Sequence, residues 1–225
     1  MYWLLIILFS NLAFSSNIDL GYHNKYIGDV HKPVLSIMDK RYVGIVRQNT
    51  DSSCGAAAVA TILRHAYQQQ TDEHRVMSGM LAIANPVIVE RYGFSMLDMK
   101  QYVQMLGMRA RGYQLNDTEL RQVRVPTIAL LNLRGYQHFV VLKAIDSENR
   151  VYIADPVLGN RIIDFNEFKK SWNGILLAII GEGYRKNNIL ANPAPPLSLQ
   201  RSGNLFAPIT ETQLLEFGFR HKDLL

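Results

Sequence analysis

The sequence predicts an α+β fold, with an N-terminal helical half followed by a C-terminal antiparallel sheet. Two observations carry this. Long apolar stretches at helical spacing, two of them behind a capping Asp or Ser, fill the chain up to Gly107. After Pro126, short β-branched and aliphatic runs are separated by Gly, Asn, Asp and Ser. With 225 residues, 48% hydrophobic and 19% charged, the chain can bury one main core and carry tails.

Residues 2–14 read YWLLIILFSNLAF, short for a membrane span and placed as the apolar core of a signal peptide. Ala13 and Ser15 supply small residues for cleavage after Ser15, so an exported, periplasmic protein is expected. No Lys or Arg precedes the run, and an uncleaved anchor or a buried helix are the alternatives. Residues 16–43 read as an N-terminal extension, and 43–46 (VGIV) as a short strand leading into the polar loop 47–53. The run CGAAAVATILRHAY, 54–67, has the Ala and aliphatic content of a buried helix. Asp72 is placed to cap a second helix to about 83, and Ser95 a third that ends near Gly107. Met96, Met99, Val103 and Leu106 share one face of the third, a stripe read as core packing. Strands are expected over 127–133, 138–145, 150–154, 161–165 and 175–180, with a short helix over 165–172. Residues 183–225, with Pro193, Pro195 and Pro196, read as a C-terminal extension.

Net charge is +5, but the basic residues are scattered and no basic run is interleaved with aromatics, so nucleic acid is not an expected partner. No group of His, Cys, Asp or Glu has metal-ligand spacing, and no metal or other cofactor is expected.

Cysteine usage is more telling. Cys54 is the only cysteine. In an exported chain a lone thiol is either an intermolecular bridge or a working nucleophile. Its position at the start of a helix favours negative charge, through the helix dipole and the free N–H groups there. Gly55 leaves room for a substrate carbonyl, although a small buried helix residue is the plainer reading of such a Cys.

Thiol acyl transfer also needs a base. Among the six His, His65 lies eleven residues past Cys54, about three helical turns away, and cannot reach it. His23, His31, His74 and His221 fall in the N-terminal extension or in polar surroundings. His138 opens HFVVLKAI and would sit at the end of a central strand. The next strand, RVYIAD, ends at Asp155, seventeen residues on (155 − 138). If the two form a hairpin, Asp155 lies beside His138 and can orient the imidazole. Gln48, six residues before Cys54, could donate its side-chain amide to an oxyanion alongside the Cys54 N–H. A turn-forming Asp before Pro156 and an ordinary loop Gln are the bland alternatives.

Residues 48–58 (QNTDSSCGAAA), 138–142 (HFVVL) and Asp155-Pro156 resemble the three motifs of the C39 peptidase family. The similarity continues through 93–115, VPTIALLNL and 154–179, and so spans roughly 44–182. The resemblance implies a papain-like fold and a thiol peptidase with Cys54, His138 and Asp155 as triad and Gln48 at the oxyanion. Family members process double-glycine leaders, often as the first domain of a peptide-exporting ABC transporter. Ser53 stands where many members carry Asp, a change expected at the rim of the site. No transporter or ATP-binding domain is expected in this chain. Its layout is similar to that of stand-alone members in functional-amyloid secretion operons. The expected partner is a protein or peptide, with amyloid or secretion-system components in view. A papain-like amidase or acyltransferase, and a catalytically silent docking module, are the alternative readings.

Overall fold

The computed structural model describes residues 36–193, apart from Asp51 and Arg134. The expected signal peptide and most of both expected extensions therefore lie outside the described residues. The chain divides into two compact units, residues 1–40 and 41–225. Of the first, the described part is the start of α1 (Ile37–Arg41), where the Ser36 hydroxyl accepts from the Asp39 N–H at 3.0 Å.

The second unit opens with four helices: α2 (Cys54–Ala66), α3 (Glu73–Leu81), α4 (Pro86–Tyr92) and α5 (Met96–Met105). The caps act as expected. Asp72 accepts from the Arg75 N–H, and Ser95 forms a reciprocal capping box with Asp98. Met99 and Val103 are buried, Met96 is partly buried, and Leu106 faces outward, so the methionine stripe is mostly core. Helix α4 was not anticipated. Asn85 caps it and Pro86 occupies its first turn, but it is only 7 residues long, too short for a periodic signal.

A six-stranded sheet follows, in the order β1-β6-β2-β3-β4-β5, with every pairing antiparallel. The strands are β1 (Arg109–Gln114), β2 (Thr127–Leu133), β3 (Tyr136–Ile145), β4 (Arg150–Asp155), β5 (Gly159–Asp164) and β6 (Trp172–Ile180). Two short helices, α6 (Asp117–Leu120) and α7 (Phe165–Ser171), complete the order. Alternation along the strands sends side chains to two cores. Ile128, Phe139, Val141, Ala154 and Leu177 pack with α2, α3 and α5. Ala129, Leu131, Val140, Leu142 and Ile153 pack with Leu120 of α6 and with Phe165 and Phe168 of α7. The sheet is thus covered on both faces.

Residues 43–46 do not form a strand. Gly44 turns the backbone at φ +73°, and the Val46 N–H donates to Thr61 Oγ1 on α2 at 3.0 Å. Ile45 and Val46 are buried, but against the helix rather than in the sheet. On the far side, residues 184–190 also pack. Tyr184 meets Tyr67 ring to ring, Arg185 N–H bonds the Ala66 carbonyl at 2.9 Å, and Leu190 is fully buried.

Candidate active site

Cys54 is the first residue of α2 and is buried, 7% exposed. The Ser53 side chain does not cap this helix. Its hydroxyl is directed instead to Glu73 and to the Thr50 carbonyl, so the first-turn N–H groups beside Cys54 are not taken by the residue that would ordinarily bond them. Ser53 is itself fully buried, and its expected place on the rim is corrected: it is an internal tie. Gly55 has a packing role besides the room it is expected to leave for a substrate carbonyl. A Cβ there would meet Met99 Cε at 2.7 Å and Phe139 Cδ2 at 3.5 Å. Its small size lets α2 approach α5 and the start of β3, which brings the Cys54 end of the helix next to the His138 end of the strand.

The register explains the His138–Asp155 pair. Strand β3 pairs with β4 through Ile145↔Val151 and Ala144↔Tyr152, then shifts to Leu142↔Ile153 and Val141↔Ala154. Lys143 is the extra residue, a β-bulge. A one-residue shift exchanges faces. Carried one step further, the shifted register sets Asp155 across from Val140, with His138 on the same face and diagonally adjacent. Without the bulge, Asp155 would fall on the opposite face. The result is a His138 Nε2 to Asp155 Oδ1 contact of 2.9 Å between side chains that are 3% and 1% exposed as residues.

Asp155 Oδ1 also accepts from the backbone N–H groups of Val157 (2.9 Å) and Leu158 (3.0 Å). Arg161, on the neighbouring β5, lies 3.5 Å from Oδ2. Burial alone would raise the Asp155 pKa, but the His138 ring and these N–H groups hold it below the ordinary carboxylate value. Burial alone would lower the His138 pKa, but hydrogen bonding and charge from Asp155, together with Cys54, raise it to about 9. The ring is therefore protonated at neutral pH. Its other nitrogen, Nδ1, is buried and makes no hydrogen bond of ordinary geometry, although Cys54 is near enough to act on the ring. Tyr136 stacks alongside, with ring centroids 6.1 Å apart.

Gln48 is joined to the same corner. Its N–H donates to the Pro156 carbonyl at 3.0 Å, immediately after Asp155. Its side-chain Nε2 donates to the Thr50 carbonyl at 2.6 Å, which engages one of the two N–H bonds of the amide. All four residues singled out in the sequence thus come together at one edge of the fold. His65 lies in the last turn of α2, far from Cys54. Arg161 and Glu73 were not foreseen. A strand Arg two residues past the Gly159 partner of Asp155 is a diagonal neighbour, a signal readable once register is known. An apolar groove of about 450 Å³, lined by Ile62, Tyr67, Thr127 and Ile179 among others, lies toward the opposite end of β2 and carries none of this chemistry.

A helix that presents a buried cysteine at its N-terminus to an antiparallel sheet is the papain-like arrangement. The chain belongs to the peptidase C39 family, whose pattern matches residues 42–182. It is 49% identical over 196 residues to the "Probable functional amyloid protease FapD" of Pseudomonas aeruginosa, the match covering 87% of this chain and 86% of that one. A protein of the same description from Pseudomonas fluorescens is 46% identical over 194 residues, covering 86% and 85%. Among solved structures, a "double glycine motif protease from AMS/PCAT transporter in complex with the leader peptide" is similar at 28% identity and TM-score 0.52, over 60% of this chain and 89% of the other.

Proposed function

We propose that the protein is an exported cysteine endopeptidase that processes a narrow set of secreted or periplasmic proteins, at Gly-rich sites and within a functional-amyloid pathway. The observation that carries the catalytic part is the buried His138–Asp155 pair beside Cys54, at a helix start that its N-cap side chain leaves uncovered. The amyloid client is supported by the similarity to the two Pseudomonas proteins, and the Gly-rich site by the family and by the similar protease with its leader peptide bound.

In this reading Cys54 reacts as a thiolate paired with the protonated His138 ring, and Sγ adds to the scissile carbonyl carbon. The Cys54 N–H and the Gln48 carboxamide donate to the oxyanion. Collapse of the tetrahedral species breaks the C–N bond, and His138 returns the proton to the leaving amine. A water molecule, deprotonated by the now neutral His138, then hydrolyses the thioester and frees Cys54. Asp155 holds the ring with Nε2 fixed, leaving Nδ1 for the thiol. No metal takes part.

The test is cleavage by the purified protein of the exported proteins of a strain carrying Cys54→Ala. The expected result is a few discrete cuts, abolished by prior alkylation with iodoacetamide and unchanged by a chelator. Binding of an exported protein with no cleavage, equally well by Cys54→Ala, would replace the peptidase with a docking module. Hydrolysis of cell-wall peptides instead would favour an amidase.

A further inference from the structure

Glu73 has no part in the chemistry above, yet its carboxylate is buried (the residue is 5% exposed) and turned toward the loop that separates Gln48 from Cys54. It is the first residue of α3, twenty-four positions from Asn49 and twenty from Ser53. Oε1 accepts from the Asn49 backbone N–H at 2.9 Å and from the Ser53 hydroxyl, and Oε2 accepts from the Asn49 side-chain amide. These two residues bracket the loop: Asn49 follows Gln48, and Ser53 precedes Cys54. The connection continues inward. Ser53 Oγ lies 2.8 Å from the Thr50 carbonyl, the same oxygen that accepts from Gln48 Nε2. The one Ser53 hydroxyl proton is shared between the carboxylate and that carbonyl, so the carboxylate is linked, through Ser53 and Thr50, to the amide of Gln48, and it is one peptide away from the N–H of Cys54.

We propose that Glu73 is a positioning residue for the oxyanion hole. It ties both ends of the loop to α3, so that the Gln48 amide and the Cys54 N–H hold a fixed separation before substrate arrives. A preset pair of donors is what stabilises a tetrahedral oxyanion, and a loop free to shift by about 1 Å would lose much of that effect. The role concerns the oxyanion and not the thiolate, which gives it a specific signature. The inference rests on the peptidase reading of Cys54.

The experiment compares two reactions of Cys54 in the full chain. Alkylation by iodoacetamide is a displacement at carbon that forms no oxyanion. Acetyl-glycyl-glycinal, a peptide aldehyde, forms a tetrahedral hemithioacetal that needs the oxyanion donors, and its affinity is read as protection against alkylation. Glu73→Ala should weaken the aldehyde by about 10- to 100-fold while changing the alkylation rate by less than about 3-fold. Glu73→Gln keeps an acceptor for the Asn49 N–H and the Ser53 hydroxyl and, once the Asn49 amide turns its oxygen to the new NH2, should stay near wild type. Ser53→Asp sets a second carboxylate against Glu73 and should lose aldehyde affinity. Aldehyde affinity that is unchanged in Glu73→Ala overturns the inference, as does a parallel fall in both reactions. A wild type whose Cys54 alkylates but is never protected by the aldehyde overturns the peptidase reading and this inference with it.

Discussion

Asp155→Asn isolates the charge that sets the protonation state of His138. The substitution keeps an oxygen for the Val157 and Leu158 N–H groups and keeps the side-chain volume, but removes the carboxylate 2.9 Å from Nε2. Burial acts to lower the ring pKa, and Asp155 is the first of the groups that oppose it. The rise from 6.5 to about 9 is worth ~3 kcal/mol of preference for the protonated ring. With the carboxylate gone, the midpoint should return to 6.5 or below, because Cys54 alone is left to oppose burial, the largest influence on the ring. The sign for stability follows. A folded pKa raised above the unfolded one gives stability that is complete below pH 6.5 and is lost as pH rises through about 9. The assay is the NMR titration of the His138 Cε1–H, assigned by its disappearance in His138→Gln, with urea unfolding at pH 6 and pH 10 alongside. Wild type should titrate near 9 and lose stability across that interval, while Asp155→Asn should titrate at or below 6.5 and lose much less. A wild-type midpoint near 6.5, or an unmoved midpoint in Asp155→Asn, would refute the reasoning.

Three further outcomes follow from the same framework. Lys143 is buried at the bulge with Nζ 2.8 Å from Asn160 Oδ1, and burial lowers its pKa to about 8, so its charge opposes folding most fully below that pH. Lys143→Met should be more stable than wild type at pH 7 by ~1–2 kcal/mol, after losing the Asn160 bond, and urea midpoints should show the advantage shrinking toward pH 10.5. Gly159 has φ +83°, and a Cβ there would meet the Arg41 side chain and its carbonyl oxygen, so Gly159→Ala should cost about 2–3 kcal/mol in chemical denaturation. Thr61→Val leaves the Val46 N–H buried without its Oγ1 acceptor and should destabilise by about 1–3 kcal/mol, read as a lower melting temperature.

Much of the fold could be read from local chemistry because local chemistry sets it. Asp72 and Ser95 announce their helices, and the β-branched runs after Pro126 announce strands whose two faces are both buried. The hairpin argument brought Asp155 to His138 correctly, but for an incomplete reason. Only the bulge at Lys143 puts both on one face, and nothing in the residues VVLKAI marks a bulge. Strand β1 (RARGYQ) is an edge strand with one buried residue and no apolar alternation, so no periodicity marks it in the sequence. Residues 43–46 have strand-like composition, yet their backbone is satisfied by a side chain of α2. Ser53 and Gly55 have small side chains whose roles depend on what packs against them, and Glu73 lies in a separate helix. Tertiary contacts of that kind leave no periodic trace.

The most direct test of the central claim compares exported proteins from three otherwise identical strains, carrying wild type, Cys54→Ala and His138→Ala, by N-terminal mass spectrometry. The account predicts that the same one or few new N-termini are present with wild type and missing from both variants. Three coincident profiles, with Cys54→Ala still rescuing the secretion defect of a full deletion, would contradict it and leave a binding module in place of the peptidase.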